Sequence, residues 1–162
     1  MLNNTIEWKT YQASNLFGKS TLAKYHSPDT LIEDSNGYEY ICATNKNNGI
    51  NQSLSIVNGN NLSLTPKKII SWGKQCPNFT YHENECVTCQ GVYYIQTNSI
   101  SKYAAQFLCT IFNNICKNKF NYSNCLIGSK FDNLQIKLPS ILKLTPDFES
   151  LGKIVGGGYR DE

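Results

Sequence analysis

Arginine is almost missing from this chain. Arg160, in the C-terminal tail, is the single one among 162 residues, against 14 lysines. The body of the chain therefore lacks the planar guanidinium fork and must hold any anion with ammonium groups or amides. Histidine is nearly as scarce, with His26 and His82 alone. A Cys–His nucleophile pair can be drawn on paper, but no local sequence supports one. "GKST" at Gly18–Thr21 ends like a phosphate-binding loop, yet Ala13 stands where the earlier glycine is needed. "PDFES" has Pro-Asp without the downstream acid-x-Lys of metal-dependent nucleases, and no Asn-Pro-Pro-Tyr or glycine-rich methyl-donor motif is found. These absences argue against an independent enzyme. No apolar run approaches the roughly 20 residues of a membrane span, and the opening "MLNNTIEWKT" has no apolar core of the signal-peptide kind. With an odd number of cysteines, seven, the expectation is a reduced, cytoplasmic protein with no membrane association.

What is present suits a globular domain: 40% hydrophobic and 12% aromatic residues in a length that can bury a core. Asparagine is over-used, at 20 residues. The net charge is only +3, but it is uneven: Thr44 to Lys143 holds ten lysines against Glu83, Glu85 and Asp132, or 10 − 3 = +7. A basic middle suits a polyanionic partner, and a solvated lysine surface gives the same count.

The first hundred residues read as short strands and turns. "YEYICA" (38–43), "SLSIV" (53–57), "KIISW" (68–72) and "GVYYIQ" (91–96) are strand-length and rich in Tyr, Ile and Val. "DSNG", "NKNNG" and "NGNN" lie between them as turns. From Ser99 the period changes. Ile100, Tyr103, Ala104, Phe107, Leu108, Ile111, Phe112, Ile115 and Cys116 recur at helical steps, which predicts one main helix near 99–117 capped by Asn98 or Ser99. "LQIKLP" (134–139) returns to strand alternation, with Pro139 as its stop. "TPDFESLGKIV" predicts a short C-terminal helix, with Thr145 as cap and Gly156–Gly158 ending it. No internal repeat is visible. The fold class is α+β.

Cys76, His82, Cys86 and Cys89 fall within fourteen residues. Four such ligands can hold zinc. Strand alternation in "ECVTCQGVYY", however, puts Cys86 and Thr88 on one face and Val87 and Cys89 on the other. Opposite faces cannot share an ion, so the expectation is core thiols, with no metal and no cofactor.

Several pieces together resemble the target recognition domain of type I restriction–modification specificity subunits and of type IIG enzymes. "WKTYQASNLF" is similar to the family's entry, and "YEYICATNKNNGI" to its strand running into an asparagine–glycine turn. "LSLTPKKIISWGKQC" resembles the next strand and its loop, and "GVYYIQ" the strand before the helix. "AAQFLCTIF" resembles that helix and "SKFDNLQIKLP" the closing strand, so the likeness spans Trp8 to Asp147 in the family's order. The family loop after "SWGKQ" often has a glycine where this chain has Cys76.

The resemblance implies a twisted, partly open β structure with helices whose loops read duplex DNA without catalysis. On it, residues 1–145 form the recognition domain and 146–162 begin a C-terminal joining helix. Thr44, Asn45, Lys46, Asn47, Asn48, Lys67, Lys68, Lys74, Gln75 and Lys130 become the DNA-binding candidates. Asn45–Asn48 form equally well an Asn-rich hairpin turn in which Gly49 supplies positive φ. The implied partners are methyltransferase and restriction subunits. Family subunits usually carry two recognition domains and this sequence one, which implies a half-length subunit forming a homodimer, or a fragment. The competing readings are a protein-interaction domain of restriction ancestry without DNA binding, and a small zinc or thiol enzyme.

Overall fold

The computed structural model describes residues 7–42 and 56–140. The expectations for Ala43–Asn48, for 53–55, for the C-terminal helix and for the 145/146 boundary lie outside them. In chain order the elements are β1 (Glu7–Gln12), α1 (Ala13–Phe17), β2 (Thr21–Leu22), a 3-10 turn (Pro28–Thr30), β3 (Leu31–Ile41), β4 (Ile56–Gly59), β5 (Ile69–Gly73), β6 (Thr80–His82), β7 (Cys86–Thr88), β8 (Val92–Gln96), α2 (Lys102–Cys116), α3 (Gly128–Asp132) and β9 (Gln135–Ser140). They make an antiparallel β1–β9 ribbon, a four-stranded sheet β2-β8-β5-β6 and a three-stranded sheet β4-β3-β7. In the last of these β3 and β7 run parallel. An α+β fold of open sheets is what the sequence predicts.

β5 is buried along its whole length, because it is interior to its sheet and covered on both faces. One face carries Ile70 and Trp72 into the main core. There Trp72 stacks on Tyr93 with centroids 5.7 Å apart and lies 4.4 Å from the ring of Phe131. Phe79 and Phe112 complete an aromatic cluster of tilted and edge contacts. Leu108, Phe112 and Cys116 of α2, Leu126, and Ile136 and Leu138 of β9 close the core around it. Tyr40, Val57 and Val87 form a second, smaller core between the strands of the three-stranded sheet.

Four local expectations are corrected. "DSNG" does not end a strand but sits inside β3, where Glu33 and Tyr38 both face Val57 across a register shift. The turn chemistry is there: Asn36 N–H donates to Asp34 Oδ1 at 2.9 Å. The ladder resumes after it because Gly37 has no Cβ, which would stand 2.2 Å from the Val57 carbonyl oxygen. Gly37→Ala is therefore expected to destabilise by roughly 1–3 kcal/mol, read as a lower denaturant midpoint at unchanged slope.

The cap of α2 is Ser101, whose Oγ accepts from Ala104 N–H at 3.1 Å, rather than Asn98 or Ser99. Thr97 is the cause, since its N–H and hydroxyl both donate to the Lys68 carbonyl, at 2.9 and 2.7 Å. Ile100 N–H in turn donates to Thr97 O, which holds 97–100 as a turn. The buried stripe of α2 is also rotated: Ala105 and Cys109 join Ala104, Leu108, Phe112 and Cys116, while Tyr103 is 45% exposed. Pro139, finally, does not stop its strand. It pairs with Trp8 inside β9, where a two-stranded ribbon leaves an edge that tolerates its missing N–H.

Candidate nucleic-acid interface

The C-terminal end of β5 is where separate segments meet. Lys74 N–H donates to the Gly91 carbonyl at 3.0 Å, and Lys74 O accepts from Leu126 N–H at 2.7 Å. With both backbone groups tied, the Lys74 side chain starts from a fixed point. Its stem crosses Gly91, whose φ is +80° and where a Cβ would come within 3.2 Å of Lys74 Cε. Gln75 comes next, half-buried. Two residues before Gly91, Cys89 N–H donates to the Ile41 carbonyl at 2.9 Å. The 89–91 turn thus ties β5 to the point where residues 43–55 leave β3.

Two further segments reach the same end. Trp72 Nε1 donates to Leu126 O at 3.0 Å, seating residues 124–128 against β5. Beyond them Lys130 Nζ donates to Asn124 Oδ1 at 2.6 Å, on the exposed side of α3. On the other side Tyr25 bridges to Thr88, and the Thr88 hydroxyl donates to Lys24 O at 3.1 Å.

Of the candidates named from sequence, Lys74 and Gln75 stand at this end, and Lys130 bonds Asn124, in the segment whose Leu126 is tied to Lys74. Thr44, Asn45, Lys46, Asn47 and Asn48 lie outside the described residues, on the connection that departs from this end. Lys67 and Lys68 belong to a different place. They precede Ile69 at the far end of β5, where Lys68 N–H donates to Glu83 O at 3.2 Å. Five residues of strand separate the two groups by roughly 15 Å. Lys24 and the 57%-exposed Tyr25 were missed. Neither lies in a periodic run, and only the long-range bridge to Thr88 puts them near the site.

A second polar group lies on the opposite face of β5. Ser71 Oγ and His82 Nε2 are 2.9 Å apart, and His82 Nδ1 stands 3.2 Å from Glu39 Oε1. The hydrogen bond to His82 holds the Glu39 carboxyl below its usual range. The order Ser–His–Glu is that of a hydrolase triad, but Ser71 is only 2% exposed, inside a ladder with a strand on either side. No substrate reaches its hydroxyl. Cys86 lies beside this group, and burial with the nearby Glu39 charge pushes its thiol up to about 12. Cys76 and Cys89 are not part of it.

The seven cysteines are thiols. Three are buried, and burial raises Cys109 to about 12 and Cys116 to about 11. Cys42, at the root of the 43–55 connection, is lowered to about 6 by its hydrogen bond with Cys89. Since the thiolate is the nucleophile, Cys42 should be alkylated first by iodoacetamide at neutral pH. Its rate should rise from pH 5 to 7 and then level, while Cys86, Cys109 and Cys116 stay protected in the native state. Peptide mass spectrometry of timed samples reads this directly, and uniform labelling would contradict it.

The sequence matches a family model, the type I restriction modification DNA specificity domain, over residues 5–143. The chain belongs to this family. It is a DNA-specificity module of a type I restriction–modification system, and the module is non-catalytic. Solved structures agree on the fold. The S subunit of a type I restriction–modification system from M. genitalium superposes with a TM-score of 0.60 at 19% identity, covering 92% of this chain and 38% of that one. The HsdS subunit from Thermoanaerobacter tengcongensis gives 0.57 at 11% identity, over 93% and 36%. A chain from a structure of type I R-M complex assembly and conformational transition gives 0.61 at 11% identity, over 93% and 37%. This specificity domain therefore spans less than two fifths of each solved relative. Among curated protein sequences no match is found. No described helix is long and apolar enough to cross a membrane.

Proposed function

We propose that this specificity domain reads duplex DNA with the end of the fold where the Lys74–Gln75 turn, the 89–91 turn and the 124–130 segment meet beside Cys42, together with the Asn-rich stretch that follows Cys42 in the chain. The observation that carries this is the pair of backbone bonds that fix Lys74, to Gly91 and to Leu126. They hold a lysine and an amide at the root of the Asn-rich connection. Gln75, Asn47 and Asn48 supply amides that can pair bidentately with adenine, and Thr44 and Asn45, next to them in the sequence, add further polar groups for DNA. Lys46, Lys74 and Lys130 hold phosphates and carry no sequence information. Lys67 and Lys68 are left out of this surface. With no arginine in the body, at least one target base is an adenine.

Family membership supports the wider assignment. The recognition unit runs through residue 145, and 146–162 lead out of it. Methyltransferase and restriction subunits in the cytoplasm act at the site that it selects. A second recognition unit comes from a second copy of the chain or from a further part of a longer subunit.

Selection from a randomised duplex library tests the reading. Gln75→Ala or Asn48→Ala should relax preference at one base position, a loss of about 1–3 kcal/mol of discrimination. Lys74→Ala should weaken all sequences alike. A library that yields no enriched duplex would favour a protein-interaction domain. Full preference retained by both amide variants would move the reading surface elsewhere. Alone, the protein should neither cleave nor methylate DNA, and light scattering reads whether two copies associate.

A further inference from the structure

Glu39, His82 and Cys86 bring a carboxylate oxygen, an imidazole nitrogen and a thiol sulfur within 4.8 Å of one another. We propose that this trio binds one divalent cation of the zinc class and so pins the three-stranded sheet to the four-stranded one. The site is not the Cys-rich set that sequence spacing suggests. Its three donors come from β3, β6 and β7, and Glu39 sits directly across the parallel ladder from Cys86.

Each donor is held in place. Cys86 has its N–H bonded to Thr65 Oγ1 at 3.0 Å and its carbonyl accepting from Thr65 N–H at 2.9 Å. His82 is 4% exposed, and with Nε2 engaged by Ser71 its Nδ1 is the nitrogen turned toward Glu39. A polar partner on the distal imidazole nitrogen is the usual way a metal-binding histidine is oriented. Sulfur, nitrogen and oxygen at this spacing suit a tetrahedral ion that keeps its fourth position for water. Charge also balances. A thiolate, a carboxylate and a neutral imidazole cancel a dication, which satisfies a buried pocket that tolerates no net charge. On binding, the Cys86 thiol proton leaves to solvent.

The experiment uses the full chain dialysed against chelator, with folding checked by circular dichroism, and then titrated with cobalt(II) alone and with zinc in competition. One cobalt per chain is expected, with a sulfur-to-cobalt absorption band that zinc abolishes. Cys86→Ser should remove the band, whereas Cys76→Ser and Cys89→Ser should keep it. Ser71→Ala should weaken binding about ten- to a hundred-fold, because it frees the imidazole. If Cys86→Ser does not fold, Glu39→Gln, whose side chain is half-buried, serves instead and should cost at least about ten-fold in affinity. Folded wild-type protein without a sulfur band would overturn the proposal, leaving a Glu39–His82–Ser71 relay beside a thiol. So would a band lost in Cys76→Ser or Cys89→Ser, or binding unchanged in Glu39→Gln.

Discussion

Trp72→Ala should lower the unfolding free energy by about 3–5 kcal/mol, against the roughly 5–15 kcal/mol of a whole domain. The indole is 1% exposed and touches Phe79, Tyr93 and Phe131, so its removal opens a cavity at the centre of the aromatic cluster. It also strands the Leu126 carbonyl, which loses its donor at 3.0 Å, a further penalty of about 1–3 kcal/mol if water cannot reach it. Trp72→Phe separates the two causes by keeping a ring and losing the N–H. That variant should lose about 1–3 kcal/mol and, on the proposed reading surface, weaken DNA binding, since Leu126 holds the 124–130 segment against Lys74. Urea denaturation of both variants measures this. Equal losses would mean that the hydrogen bond, not the ring, dominates.

Affinity for duplex DNA should collapse with salt. On the scale of a single module, about four to six phosphates are engaged, and each contributes about −0.9 to the log–log slope. Between 50 and 200 mM salt the association constant should then fall by roughly a hundred- to two-thousand-fold. The geometry sharpens the test by distinguishing lysines. Lys74→Ala and Lys130→Ala should each reduce the slope by about one unit. Lys67→Ala and Lys68→Ala, at the other end of β5, should leave it unchanged. Fluorescence anisotropy across several salt concentrations suffices. The reverse pattern would put the DNA on the Lys67–Lys68 end, and a flat profile would remove DNA from the proposal altogether.

The elements that were legible are those whose signal is local. "KIISW" and "GVYYIQ" became β5 and β8 to within a residue, because β-branched and aromatic runs between turn residues need no distant partner to be recognised. α2 was legible as a period, but its cap and the rotation of its face were not. Thr97 sets the first through a bond to Lys68, and the shape of the core sets the second. Pro139 and "DSNG" misled because their meaning depends on neighbours: an open ribbon edge for one, the Val57 carbonyl for the other. The family could be read from the order of weak pieces, each with its own local chemistry. The proposed reading surface could not be read in full: Lys24 and Lys74 are placed near one another by bonds of their backbone groups to residues 17 or more positions away, and lysine spacing carries no trace of them. Glu39 was invisible for the same reason, being 43 positions from His82.

β3 and β4 form an antiparallel pair in which Glu39 meets Ile56, so residues 42–55 are spliced into a ladder that both flanks close. The cost of enlarging such a splice grows only with the logarithm of its length, and doubling it adds about 0.6 kcal/mol. Insertions and deletions there leave the aromatic cluster, the two cores and the Lys74 anchor untouched. Changes of length between Cys42 and Ile56 are therefore expected to cost folding little. If the proposed reading holds, a new recognition word would arise by exchanging that one short stretch of chain, while the scaffold stays as it is.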